Sequence, residues 1–184
     1  SALYFKNDID NYIYLLDTAT KKEEVLIANH SQRDAEFEGY ELSIGSSFDL
    51  YQGELAVSVG TDSVEGKFTD GTFIPRITPS RFIYSFEYAQ DDLLIDVSLT
   101  DVDSQSDVAS GESVTNGFEL LDLSVSKSFD LYGEEDLTLG IFGTNLLDEI
   151  ARNHNSYVKN EVPLAGRNIG CLLYTSDAAD EMRR

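Results

Sequence analysis

The 184-residue chain has no tryptophan, one cysteine, one methionine and three prolines. A single cysteine allows no disulfide within the chain, which excludes the small disulfide-stapled folds. Bases are scarce: 13 Lys and Arg stand against 34 Asp and Glu, for a formal net charge of −21. Phosphate backbones repel so acidic a surface, so nucleic acid is not expected as a partner. Long apolar runs are missing too. Nothing approaches the roughly 20 consecutive apolar residues of a spanning helix, which rules out a helical membrane bundle. A membrane β-barrel escapes that exclusion, because only every second residue of its strands faces lipid. Its mean hydropathy then looks like that of a soluble protein, as the −0.24 of this chain does. Gly-x-Ser-x-Gly, His-Glu-x-x-His and a phosphate loop are all absent, so no catalytic residue, enzyme activity or cofactor is expected. The chain starts Ser1-Ala2-Leu3 rather than with Met, and a preceding segment is expected.

What is present is alternation. In RFIYSFEY, Phe82, Tyr84, Phe86 and Tyr88 share one face and Arg81, Ile83, Ser85 and Glu87 the other. That is period two, the strand signature. Leu93, Ile95, Val97 and Leu99 then alternate with Leu94, Asp96, Ser98 and Thr100. Leu121, Leu123 and Val125 alternate with Asp122, Ser124, Ser126 and Ser128, and Leu137, Leu139 and Ile141 with Thr138 and Gly140. Upstream, Tyr40, Leu42 and Ile44 alternate with Gly39, Glu41, Ser43 and Gly45, and Leu55, Val57 and Val59 with Ala56 and Ser58. Residues 1–6 read as a further strand, while NYIYLL (Asn11–Leu16) fits a strand or a helical turn.

Short turns are expected at about 50–53, 89–92 and 131–135, and long polar connections at about 17–33, 62–79, 101–116 and 147–166. Strict short–long alternation suits an outer-membrane barrel, with short turns at one end and long loops at the other. A soluble sandwich alternates its residues equally well, with the apolar face turned inward. Two features lean toward the barrel. The polar faces are Ser, Thr, Gly, Ala and Asp with few Lys, and aromatics recur near strand ends at Tyr40, Phe48, Tyr88, Phe118 and Phe129, as interfacial girdles require.

The stretch Thr144–Asn168, TNLLDEIARNHNSYVKNEVPLAGRN, resembles the C-terminal signature of TonB-dependent outer-membrane receptors. The matching residues are Asn145-Leu146-Leu147-Asp148 and Pro163-Leu164-Ala165-Gly166-Arg167-Asn168. DAEFEGYEL, with Gly39 and Glu41, is similar to the family's aromatic-x-G-x-E strand, and IPRITPSR, with Pro75, to its P-x-x-P-x-R approach to a strand. The resemblance implies an all-β, antiparallel up-and-down transmembrane barrel of twenty-two strands, of which residues 1–170 supply about seven or eight. It implies a transporter of the Gram-negative outer membrane, surrounded by lipid, that takes up a metal or metal complex of the zinc, iron–siderophore or haem class. Coupling to TonB would run through an N-terminal plug that this chain lacks. Gly39, Glu41, Pro75, Asn145, Asp148, Pro163, Gly166 and Arg167 would then be structural: Asn145 bonding the turn that follows it, Arg167 pairing with a carboxylate. The alternative class is an acidic β-sandwich that binds carbohydrate or acts as an adhesin.

RNHNSYVK, Arg152–Lys159, is similar to the zinc-receptor subgroup, which makes His154 a candidate metal contact. The competing reading, that His154 orders its own loop, is preferred, because one histidine is a weak ligand signal. His30 is a weaker candidate. Asp101, Asp103, Asp107 and Glu112 are acids able to attract cations, but they lack the glycine and terminal glutamate of a calcium loop. The last residues, Cys171–Arg184 (CLLYTSDAADEMRR), break the pattern and resemble the translation of a transposase adapter from sequencing libraries. A non-native tail is expected over 171–184.

Overall fold

A computed structural model describes residues 1–130 and 135–177. They form one eight-stranded antiparallel sheet in which every strand pairs with its sequence neighbours. In order these are β1 (Ala2–Lys22), β2 (Val25–Leu50), β3 (Gly53–Phe68), β4 (Arg81–Gln90), β5 (Leu93–Val102), β6 (Phe118–Asp130), β7 (Glu135–Thr144) and β8 (Asn168–Asp177). The fold is all-β, antiparallel and up-and-down, as the alternation predicts. Among the described residues there is no second sheet, and no ladder joins β1 to β8. Nor is any helix long and apolar enough to cross a membrane, which says nothing of strands.

The register gives the two faces their composition. One row runs Phe48, Leu55, Tyr88, Ile95, Val125, Ile141, and the next parallel row includes Val57, Phe86, Val97 and Leu123. On the opposite face, Gly45, Ser58, Ser85, Ser98 and Asp122 line up across β2 to β6. The apolar face is bare: Ile44 is 73% exposed and Phe86 48%. In water each such side chain would forgo roughly 1.5–3 kcal/mol of burial. A sandwich would cover this face with a second sheet, and none is present among the described residues.

Three expectations need correction. Residues 17–33 are not a long loop. β1 and β2 continue as a ribbon to a two-residue turn, Glu23–Glu24, whose φ angles of 52° and 67° fit a type I′ hairpin. NYIYLL therefore lies in a strand, and short and long connections do not alternate strictly. Phe118 opposes Val102, which puts it on the polar face and out of the aromatic girdle. Finally, β3 runs on to Phe68, so its connection to β4 is shorter than expected and spans 69–80.

Where β2 leaves β3, the ladder shifts between Ile9 and Tyr12. Asn11 adopts a φ of 54° there, and its N–H donates to the Asp34 carboxylate at 2.8 Å. This β-bulge marks the base of a ribbon that extends past the sheet. Of the expected short turns, 50–53 and 89–92 are found as two-residue turns at Tyr51–Gln52 and Asp91–Asp92. The turn at 131–135 lies almost entirely outside the described residues, as do residues 178–184 of the tail. β8 crosses the expected boundary at 170/171 and pairs 171–177 with β7.

The buried core is not in the middle of the sheet. It sits at the long-connection end, where Ala35, Phe68 and Ile74 pack with Tyr12, Tyr14, Phe37 and Ile77. The 69–80 connection makes this possible by folding back on β3. Asp70 accepts from the Thr72 N–H and hydroxyl, Gly71 takes a φ of 83° open to few other residues, and Ile74 donates its N–H to Gly66 O at 3.0 Å.

Candidate functional site

Three connections meet at this end: 69–80, 103–117 and 145–167. Buried polar residues gather where they touch. Thr115, His154 and Lys159 are all buried, His154 to 2% exposure. At the centre lies Glu112, whose side chain is also almost fully covered. Its carboxylate accepts from the Arg76 N–H at 3.1 and 3.3 Å, from the Ala109 N–H at 3.2 Å, from Lys159 Nζ at 3.0 Å and from His154 Nε2 at 3.1 Å. A buried carboxylate persists only when so compensated.

The partners assign the imidazole tautomer. Nε2 faces a carboxylate and so carries the proton, which leaves Nδ1 to accept from the Thr115 hydroxyl at 2.8 Å. Lys159 Nζ lies 3.3 Å from each ring nitrogen. Burial, and then the Lys159 charge, push the His154 pKa below the ordinary imidazole value, and the nearby Glu112 carboxylate opposes them. The site thus holds a neutral histidine beside a Lys–Glu ion pair. Further contacts join the connections two at a time. Asn155 Nδ2 donates to Thr78 Oγ1 at 2.8 Å, Ser113 Oγ to Asn160 Oδ1 at 3.0 Å and Gln105 Nε2 to Ile77 O at 3.1 Å. The Arg76 guanidinium stacks 3.7 Å over Tyr157.

A second node forms where the two halves of the terminal signature meet. Asn145, 4% exposed, takes a φ of 48° and donates Nδ2 to Glu149 O and Ala165 O, at 2.9 and 3.1 Å. Its Oδ1 accepts from Glu149 N–H, and its own N–H donates to Asp122 Oδ1. Asp148 accepts from the Arg167 N–H at 3.1 Å and pairs with its guanidinium at 3.4 Å. A Cβ on Gly166 would lie 3.5 Å from that same carboxylate. Pro163 is exposed on the same connection.

The other singled-out residues are apart from these nodes. Gly39 pairs with Phe5, whose ring lies over it. A Cβ there would meet Ser63 O at 2.4 Å and the ring at 2.8 Å. Glu41 is exposed on β2 and Pro75 lies in the 69–80 connection. His30 sits on the projecting ribbon opposite Leu15. Asp103 accepts from Ser80 Oγ at 2.7 Å. Asp103 and Asp107 line a polar cavity of about 290 Å³ between β3 and the first two connections. Among the described residues no three His, Cys, Asp or Glu side chains gather as a metal would need. Sequence reasoning missed the joining role of Glu112 and passed over Lys159 entirely. Nothing local marks either, because their partners lie up to 47 residues away.

A sequence model described as TonB dependent receptor-like, beta-barrel matches residues 1–146. The chain belongs to this family. Among solved structures it is similar to the copper transporter OprC, with a TM-score of 0.73 at 18% identity over 95% of this chain and 28% of that one. At that identity the likeness concerns the fold. The chain spans 28% of the length of that structure. No curated protein matches. As part of a TonB-dependent receptor barrel, the matched segment includes Gly39, Glu41, Pro75, Glu112 and Asn145. His154, Lys159, Asp148 and Arg167 lie beyond it, as do nearly all of the third connection and the whole of β8.

Proposed function

We propose that this chain is a portion of the outer-membrane barrel of a TonB-coupled transporter that takes up a metal or metal complex. The carrying observation is the bare apolar face, continuous over β2 to β7 and backed by a polar face of Ser, Gly and Asp. A lipid bilayer is the surroundings that would cover the one face while the other lines an aqueous interior. Family membership supports TonB coupling through a plug segment encoded upstream. The copper transporter among the structural relatives supports a metal cargo, alongside the zinc, iron–siderophore and haem classes that the terminal signature suggests. The acidic connections suit a cationic cargo.

Within this reading His154 orders the connections rather than contacting metal, because both ring nitrogens are engaged and the ring is buried. Gly39, Asn145, Asp148, Gly166 and Arg167 serve the architecture. The start of the 171–184 tail, residues 171–177, in this reading occupies the place of a native closing strand: Leu172, Leu173 and Tyr174 are exposed on both faces of β8 without the alternation of β4 to β6.

The test uses the full-length receptor in a Gram-negative host, with and without TonB. Accumulation of labelled zinc, copper, a ferric siderophore or haem is measured. TonB-dependent accumulation of one of them is expected, and accumulation that ignores TonB for all of them would sink the reading. Metal affinity unchanged by His154→Ala is expected; a loss of affinity returns His154 to the ligand set.

A further inference from the structure

Glu112 is a point on which all three connections converge. It holds the Arg76 amide of 69–80, the Ala109 amide of its own connection, and His154 and Lys159 of 145–167. We propose that these connections form one interlocked lid beside the polar cavity, and that the Glu112–Lys159 pair makes its opening a single concerted event.

The physical reason is the burial of the charges. Should 145–167 lift away, Lys159 leaves with it, and Glu112 would keep its two amide donors but lose its counter-ion. The carboxylate must then follow into water. In doing so it abandons the Arg76 and Ala109 amides, which lose their acceptor. Release of the third connection therefore loosens the first, although Lys159 makes no contact with Arg76 N. Contacts such as Ser113 with Asn160 are exposed and neutral. Their loss leaves no stranded charge and stays local. The buried ion pair thus adds a coupling across all three connections to the direct contacts of Asn155 with Thr78 and of Arg76 with Tyr157. The inference stands on the geometry of the connections alone, so its failure would leave the transport reading untouched.

The experiment is amide hydrogen exchange by mass spectrometry on the full-length receptor in detergent micelles. In Glu112→Ala, exchange is expected to rise roughly a hundredfold in all three connections together. In Ser113→Ala it is expected to rise only around 113 and 160. A rise in Glu112→Ala confined to 103–117, or an equally wide spread in Ser113→Ala, overturns the proposal. If Glu112→Ala does not accumulate as folded receptor, Lys159→Met is read at the peptide containing the Arg76 amide. Faster exchange there supports the lid; unchanged exchange there overturns it.

Discussion

The wall and the lid of this molecule solve opposite problems with the same alphabet. The wall, β3 to β7, buries almost nothing within the chain. Its order comes from ladder hydrogen bonds and its apolar rows face outward. The lid, only about fifty residues in three connections, holds nearly all the buried polar groups among the described residues: Thr115, Asn145, His154 and Lys159. A substitution in the wall is therefore felt through its surroundings, and one in the lid through its neighbours in the chain. That contrast makes the two regions separable by experiment.

The largest effect is expected in the lid. Lys159→Met strands the Glu112 carboxylate, and loss of one partner of a buried pair costs about 3–5 kcal/mol. Local opening measured by amide exchange reads it, and a value near that of an exposed pair would show the lid to be wet. In the wall, Val97→Arg places a cation on the apolar face. It is expected to destabilise the receptor in lipid vesicles by about 2–4 kcal/mol, whereas Ser98→Arg, on the polar face, changes equilibrium unfolding far less. If the two residues behave alike, the faces carry no distinction of solvent. Asn145→Ala removes a side chain that satisfies three backbone groups, for an expected loss of about 1–3 kcal/mol in thermal or denaturant unfolding; a neutral result would mean water replaces it.

Acid should loosen the lid and spare the wall. His154 is held below its ordinary value in the folded state, so the folded lid binds fewer protons than the open one. Its contribution is full above the ordinary imidazole range near 6.5 and fades as pH falls through the depressed folded value. Exchange rates of the connections measured between pH 7.5 and 5, corrected for intrinsic chemistry, should rise toward acid in the native receptor and flatten in His154→Gln. A native profile as flat as the variant's removes the histidine from the account. The smallest effect belongs to Asp148→Asn. That residue's ion pair with Arg167 is half exposed, and an exposed pair is worth at most about 1 kcal/mol in thermal unfolding.

The wall was largely legible in the sequence because its two faces meet different surroundings. Phe82 to Tyr88 and Leu93 to Leu99 could alternate only if one side was apolar and the other not, and β4 and β5 begin and end within two or three residues of that pattern, whereas β3 runs on to Phe68. The ribbon was not legible for the same reason. Residues such as Thr18, Thr20, Lys22, Glu23 and Glu24 belong to strands and a turn beyond the sheet, where neither face is selected for apolar character and period two disappears. Asn145 and Asp148 could be singled out because they stand in the stretch Asn145–Asp148 that resembles the family's terminal signature. Glu112 was read as an acid that attracts cations, and the cation it attracts is the chain's own Lys159. The pairing is set by how three connections fold over one another, which spacing along the chain does not encode.

The ribbon has a practical consequence. From Arg33 to Val25 the β2 strand travels beyond the end of β3, which at about 3.3 Å per residue carries the Glu23–Glu24 turn roughly 30 Å past the wall. An epitope inserted at that turn would stand clear of the wall. Antibody staining of unbroken cells would then report which way the receptor faces.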